Sequence, residues 1–328
     1  MKVLFIGGTG VISSACLKPV LDKGHELCIF NRGISDYEVP KEVKHIKGDI
    51  YDKNGAFKIL KGLKFNTVVN WIAFTRENVL QDIELFGGNI SQYIFISSAS
   101  AYQKPPLNYM ITESTPMHNP FWEYSRNKIA CENALLDAYR KSGFPVTIVR
   151  PSYTYNERCI PNIWGNDYTT IDRMLKNEKI IIHGDGQSLW VMTHNRDFAK
   201  GFAGLVGNLK AIGEAYHITS DEVLTWDQIY KIIAAEAGAG KINTVHIPSD
   251  FMNEINPEFG ASLLGDKACS FVFDNAKIKK LVPEFKAQIS FAEGIRASLA
   301  WYDRHPEKKT RDKNTDDLIE KILSAWNK

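Results

Sequence analysis

No pair of cysteines at CxxC spacing occurs in this 328-residue chain: Cys16, Cys28, Cys131, Cys159 and Cys269 stand apart. Thiols scattered in this way read as buried side chains in a reducing compartment, not as a disulfide frame or a metal site. Long apolar runs are also missing, which excludes a bilayer-spanning helix, and the first strand signal starts at Lys2, leaving no length for a leader. The expected location is the cytoplasm. Nor is there an excess of charge of one sign. Forty Lys and Arg face 38 Asp and Glu, for a net charge of +2, so no global basic field argues for nucleic acid. His183, His194 and His246 have no partners at metal-ligand spacing, so they read as turn or lobe residues and no metal is expected.

What is there begins at the first residue. Lys2 to Ile6 is a short apolar, β-branched run that passes into Gly7, Gly8, Thr9 and Gly10 and then into a segment able to form a helix from about Val11. Strand, glycine turn and helix in that order suit a dinucleotide. Gly7 allows a sharp turn, Gly10 lets the backbone approach a pyrophosphate, and the helix start offers free N–H groups. Ser13 stands where the usual fingerprint has its third glycine.

Strand signals recur at 26–30, 43–46, 67–72, 93–96 and 145–149, with helical segments between most of them. The alternation predicts an α/β fold with a parallel, doubly wound sheet and a ligand across the carboxyl ends of its strands. Residues 1–165 are expected to form the dinucleotide-binding domain, with further sheet strands from about 180–220. Residues 166–328 are expected to form mainly a smaller C-terminal substrate-binding lobe. In it fall a turn at 183–186, an amphipathic helix over 225–236, a helical region around Lys277 to Lys280, and a charged linker over 306–317 before a final helix.

The end of the second strand bears on the cofactor. Asn31-Arg32-Gly33 lacks the acidic residue that would bind the ribose hydroxyls of NAD, and Arg32 offers a partner for a 2′-phosphate, which favours NADP; Asn31 remains a ribose ligand under the NAD alternative. Asp49, beside Ile50, is placed either for the adenine amino group or for a turn. Tyr124 and Lys128 share one helical face, one turn apart. Lowering a phenol from a pKa of about 10 to neutrality takes roughly 4 kcal/mol, which a cation about 4 Å away contributes while desolvation opposes it. Ser98 lies 26 residues upstream at the end of the fifth strand signal, where its hydroxyl can share a substrate proton with Tyr124; Ser97 and Ser100 compete for that role.

With GGTGVIS at 7–13, Asp49, SSASAY at 97–102, YSRNK at 124–128, Arg150-Pro151, and the stretch from Gly184 to Ala199, the chain resembles the extended short-chain dehydrogenase/reductases. The resemblance is to their NAD-dependent epimerase/dehydratase family, nucleotide-sugar 4-epimerases included, and spans nearly the whole chain. It implies a Rossmann-type sheet, with Tyr124 as general acid/base, Lys128 on the nicotinamide ribose and lowering the phenol's pKa, and Ser98 on the substrate oxygen. NAD(P) would lie on Gly7, Thr9, Gly10, Val11, Ile12, Asn31, Arg32, Asp49 and Ile50, beneath Ala73, with Pro151 and Ser152 at the nicotinamide. Ser100, Tyr153 and Trp190 would meet the substrate. The helices after the fourth strand and around Tyr124 would form a homodimer.

Departures from the family pattern narrow the reaction. Ala99 and Ser100 replace the Asp-Glu pair with which dehydratases eliminate water, so the pattern is nearer that of 4-epimerases or simple oxidoreductases. Gln187-Ser-Leu-Trp190 replaces the arginine that clamps a substrate diphosphate, with Arg158, Arg173 and Arg196 as substitutes, and Tyr153 stands where an asparagine is usual. The expected function is that of an NAD(P)-dependent sugar or nucleotide-sugar epimerase/oxidoreductase. The alternatives are an NADP-dependent ketone/alcohol reductase whose substrate lacks a diphosphate, and an RNA-binding protein on the same fold.

Overall fold

The computed structural model describes residues 1–165 and 167–327. Its centre is a sheet of seven parallel strands, numbered here in chain order: β1 (Lys2–Ile6), β2 (Glu26–Asn31), β3 (Lys44–Lys47), β4 (Thr67–Asn70), β5 (Gln92–Ile96), β6 (Val146–Arg150) and β7 (Ala215–His217). Their spatial order is β7-β6-β5-β4-β1-β2-β3, which reverses direction at β1 and opens a crevice there at the carboxyl ends. β1, β4, β5 and β6 are buried on both faces, as their unbroken apolar runs require.

One face of the sheet is covered by α1 (Ser13–Asp22) and by the helix Asn195–Leu205; Leu17, Val20, Phe198 and Phe202 pack there on Val3 and Phe5. The other face carries α2 (Lys53–Leu60), α3 (Arg76–Phe86) and α4 (Glu123–Ser142), whose Leu60, Leu85, Cys131 and Leu135 pack on Leu4 and Ile6. α4 buries Ser125, Lys128, Glu132 and Leu135, a three-to-four-residue stripe, and stops at Gly143 in the left-handed conformation.

A third core belongs to the lobe. Strand Lys179–His183 pairs in parallel with Asn243–Ile247, and the helix Trp226–Glu236 is fixed at its start by a capping box of Thr225 and Gln228. Two expectations for this half change. Helix Ala276–Leu281 belongs to the dinucleotide sheet and not to the substrate lobe, because Ile278, Val282 and Phe285 fill the α1 side of that sheet. The charged stretch 306–317 is pinned where a linker is expected. Arg311 bonds Asp172, Glu178 and Asp316 at 2.5, 2.7 and 3.1 Å, and the last helix already starts at Lys313. Cys16, Cys28, Cys131 and Cys159 are buried and Cys269 half-buried, all as free thiols.

Candidate active site

The glycine turn is built from two positions that no side chain fits. Gly7 and Gly8 have φ of +95° and +92°; a Cβ on Gly7 would lie 3.2 Å from Ile72, and one on Gly8 3.0 Å from Ile29. Ser13 closes the turn, its Oγ accepting from the Gly10 N–H at 2.8 Å, so a serine does here by hydrogen bonding what the missing glycine does by size. Asn31 braces the same turn from β2. Its Nδ2 donates to Gly7 O at 3.1 Å and to Thr9 Oγ1 at 3.2 Å, while its Oδ1 takes the Gly33 N–H and meets His45 Nε2.

Beyond this cradle runs a cleft of about 590 Å³. Gly7, Thr9, Gly10, Val11, Ile12, Asn31, Arg32, Asp49, Ile50, Tyr124, Lys128 and Pro151 all line it, so twelve positions singled out in the sequence converge. Its walls also include Ile34, Tyr51, Ile72 and Phe74, which lie outside the motifs. Tyr51 is held by a 2.5 Å bond from its hydroxyl to Ile72 O. Asp49 Oδ1 accepts the Tyr51 N–H at 3.0 Å, the turn geometry of an aspartate that also faces the cleft.

Some expected contacts fall elsewhere. Ala73 is buried behind the wall, and its carbonyl accepts from Lys128 Nζ; Ile72 and Phe74 take its place on the surface of the cleft. Ser152 lies off the lining, its carbonyl accepting from Thr154 Oγ1. Trp190 is 2% exposed, packed at 5.7 Å from Trp226 in the lobe core, and has no open face on which a substrate ring could stack. Tyr153 donates its hydroxyl to Asn162 O at 3.1 Å, and Lys267 Nζ sits 5.6 Å over its ring. Of the substitute arginines, Arg158 is paired with Asp36, Arg196 with Glu157, and Arg173 is buried among Asp316, Glu320 and Glu178.

The three serines have three different partners. Ser97 gives its hydroxyl to Glu132 at 2.5 Å, and Glu132 is locked to Arg150 in a fully buried pair. Ser100 is buried too and lies off the cleft lining: it accepts from Ser125 Oγ at 2.7 Å and shares a 2.8 Å bond with Ser98 Oγ. Ser98 is the one of the three whose hydroxyl acts on the Tyr124 phenol, favouring its ionised form. A line of hydroxyls thus runs from Ser125 through Ser100 to Ser98.

Burial dominates the electrostatics. It pushes the Tyr124 phenol up to about 12, against the opposing hydrogen bond from Ser98. It pushes the Lys128 ammonium down to about 8. Lys128 donates to Ala73 O and Ile96 O at 2.7 and 2.8 Å, and lies 5.7 Å from the Tyr124 ring centroid. The expected depression of the phenol is therefore absent in the protein alone, because desolvation outweighs a cation directed mainly at two backbone carbonyls. Among the described residues no group of His, Cys, Asp and Glu is arranged to hold a metal ion, and no helix is long and apolar enough to cross a membrane.

The model of the NAD-dependent epimerase/dehydratase family matches residues 3–219, which spans all seven sheet strands apart from Lys2 and the whole of the cleft. The chain belongs to that family. Its members use NAD(P), and the positive φ of Gly7 and Gly8 shapes a tight turn at the start of a helix on the cleft wall, which suits a dinucleotide pyrophosphate. Among curated relatives, the chloroplast stem-loop binding protein of 41 kDa b from Arabidopsis thaliana is 25% identical over 97% of this chain and 84% of its own. The 2′-dehydrokanamycin reductase of Streptomyces kanamyceticus is 21% identical over 87% of this chain and 80% of its own. Among solved structures, the UDP-glucuronic acid 4-epimerase of Bacillus cereus, in complex with UDP-glucuronic acid and NAD, superposes with a TM-score of 0.74 at 17% identity. It covers 93% of this family member and all of that chain.

Proposed function

We propose that the protein is an NAD(P)-dependent epimerase/oxidoreductase acting on a sugar or nucleotide sugar, with Ser98, Tyr124 and Lys128 as its reacting set. The observation that carries this reading is the Tyr124 phenol on the wall of the dinucleotide cleft, one helical turn from the buried Lys128 ammonium on the same wall. A nicotinamide dinucleotide, when bound, supplies the hydride acceptor and donor. Gly7, Gly10, Thr9 and Asn31 would hold its pyrophosphate and ribose, and Lys128 its nicotinamide ribose. Tyr124 passes a proton to or from the substrate oxygen, Ser98 hydrogen-bonds that oxygen, and Ser100 with Ser125 keeps the Ser98 hydroxyl oriented. A phenol raised to about 12 is protonated at neutral pH, so its resting state is that of a proton donor to a ketone.

Arg32 is exposed on the cleft rim and, among the described residues, pairs with no carboxylate, which supports NADP over NAD. The engagement of Arg158, Arg173 and Arg196 elsewhere favours a second reading, a ketone or alcohol reductase whose substrate carries no diphosphate. Membership of the family supports a homodimer through α3 and α4, to be checked by light scattering.

Titration of the purified protein with NAD and NADP, after nucleotide identification by mass analysis, tests the reading. Preference for NADP that falls about tenfold in Arg32→Ala is expected, the size of one charge-assisted bond. Tightly retained NAD would instead mark an epimerase that recycles its cofactor and overturn the role given to Arg32. Binding of neither nucleotide, with salt-dependent retention of RNA that survives Tyr124→Phe, would overturn the enzyme reading.

A further inference from the structure

Beyond β2 the chain crosses the rim of the cleft as a strap, residues 32–38, before it reaches β3. Arg32, Gly33, Ile34 and Ser35 of this strap line the cleft. Residues 32–36 and Glu38 are exposed, Ile34 at 76%, and among the described residues no main-chain to main-chain hydrogen bond holds the segment. Neither a ladder nor a core fixes it, so side-chain contacts decide where it lies. On the cleft side it is tied to the glycine turn: Asn31 Oδ1 accepts the Gly33 N–H at 2.9 Å, and Ser35 Oγ donates to Thr9 O at 2.9 Å.

The far end of the strap is tied to the lobe. Asn156 Nδ2 donates to the Tyr37 hydroxyl at 2.9 Å, and Arg158 Nη1 to Asp36 Oδ1 at 2.9 Å. The Arg158 guanidinium also lies 4.1 Å from the centre of the Tyr37 ring and 5.8 Å from that of Trp301, contacts that suit a planar cation. Both anchors stand on the lobe helix Phe291–Arg304, where Ser298 Oγ donates to Asn156 O at 3.3 Å and the Tyr302 hydroxyl to Arg158 O at 3.5 Å. Two hollows flank the strap, one of about 350 Å³ lined by Gly33, Ser35, Tyr37 and His45, the other of about 690 Å³ lined by Tyr37, Glu38, Arg158 and Trp301. Space beside the strap lets it move without displacing packed core.

We propose that residues 32–38 are a gate on the dinucleotide cleft and that Arg158 is the positioning residue that latches it to the lobe. The proposal rests on the dinucleotide part of the reading above and adds to it what sets the rate of nucleotide exchange. Asp36 and Arg158 have 79% and 26% of their side chains exposed, so solvent screens the pair and the latch is weak enough to open. Closed, the strap fixes the wall that Ile34 and Ser35 give to the cleft; open, it releases that wall. Because its anchors sit on the lobe, whatever holds the helix Phe291–Arg304 in place also holds the cleft shut.

The test measures association and dissociation of NADPH and NADH by stopped-flow nicotinamide fluorescence on the full chain, for wild type, Arg158→Ala, Arg158→Lys and Tyr37→Phe. A gate raises both rates when its latch is lost. In Arg158→Ala each should rise about fivefold, the size of one screened ion pair with its ring contact, while Kd stays within about twofold. Arg158→Lys keeps the charge and should recover part of the change; Tyr37→Phe, which loses only the Asn156 bond, should move both rates the same way by less. Trypsin gives a readout without nucleotide: cutting after Arg32 should be faster in Arg158→Ala than in wild type, with thermal unfolding unchanged. Dissociation that rises while association stays constant would make Arg158 a contributor to affinity and overturn the gate, as would unchanged rates or unchanged cutting. Failure of the dinucleotide reading has a separate signature: wild type then binds neither nucleotide, and the gate falls with it even where cutting after Arg32 answers to Arg158.

Discussion

The glycine turn at 7–10 and the wide helical turn Leu263–Lys267 of the lobe, whose last three carbonyls accept from Asn119, Lys104 and His183, are built by opposite means. The first exists because side chains are absent: Gly7 and Gly8 take positive φ, and the cradle is shaped within a few residues of sequence. The second exists because side chains are imported, from 146, 162 and 84 residues away. A binding surface made of bare backbone suits a ligand common to a whole family. A turn held by long-range side-chain bonds takes shape only once distant parts of the chain have folded around it.

Replacing the Tyr124 phenol should give the largest effect. Tyr124→Phe is expected to lower turnover by about 10²–10⁴-fold, the usual contribution of a positioned acid/base, with cofactor affinity nearly unchanged in a fluorescence titration. Gly7→Val breaks the comparison from the dinucleotide side. Positive φ and contacts of 3.2 to 3.3 Å with Ile72 and Trp71 should reduce NAD(P) affinity on the order of 100-fold by strain and blockage, without changing proteolysis of the 263–267 turn.

The wide turn should answer to pH where the glycine turn does not. Burial holds the His183 imidazole down to about 4, below its ordinary 6.5, with Nε2 facing Lys267 O. Between pH 6.5 and 4 the unfolded chain therefore binds a proton that the folded chain refuses. Stability contributed by neutral His183 is complete above pH 6.5 and is lost as pH falls, by about 3 kcal/mol in all. Denaturant melts of wild type and His183→Gln across that window should show a shallower decline in the variant; parallel slopes would remove His183 as the cause. The smallest effect belongs to Asn119→Ala. It orphans the Gly265 and Ser100 carbonyls and the N–H groups of Phe121 and Trp122, at about 2 kcal/mol in chemical denaturation, with NAD(P) affinity retained.

The same contrast explains what the sequence discloses. The alternation of strands and helices, the glycine turn and the Tyr124–Lys128 spacing are local patterns, each read from short stretches of consecutive residues. Ser98 was legible as a candidate, but its separation from Ser97 and Ser100 depends on Glu132, Arg150 and Ser125, which meet only in the folded chain. Ala73 and Trp190 mislead for a related reason: position in a motif says nothing about which side of a wall a residue occupies. The turn at 263–267 carries no sequence signal at all, since nothing near it announces that Asn119, Lys104 and His183 converge there.

One feature of the fold sets how the molecule yields under force. After β6 the chain leaves the sheet for the lobe, returns for the helix Asn195–Leu205 and β7, leaves again, and comes back for Ala276–Leu281 before ending on the lobe. With that much weaving, no single peptide bond separates nucleotide grip from substrate grip. Pulled from its two ends, the chain is expected to rupture as one cooperative unit, the whole lobe losing its footing together with the edge of the sheet.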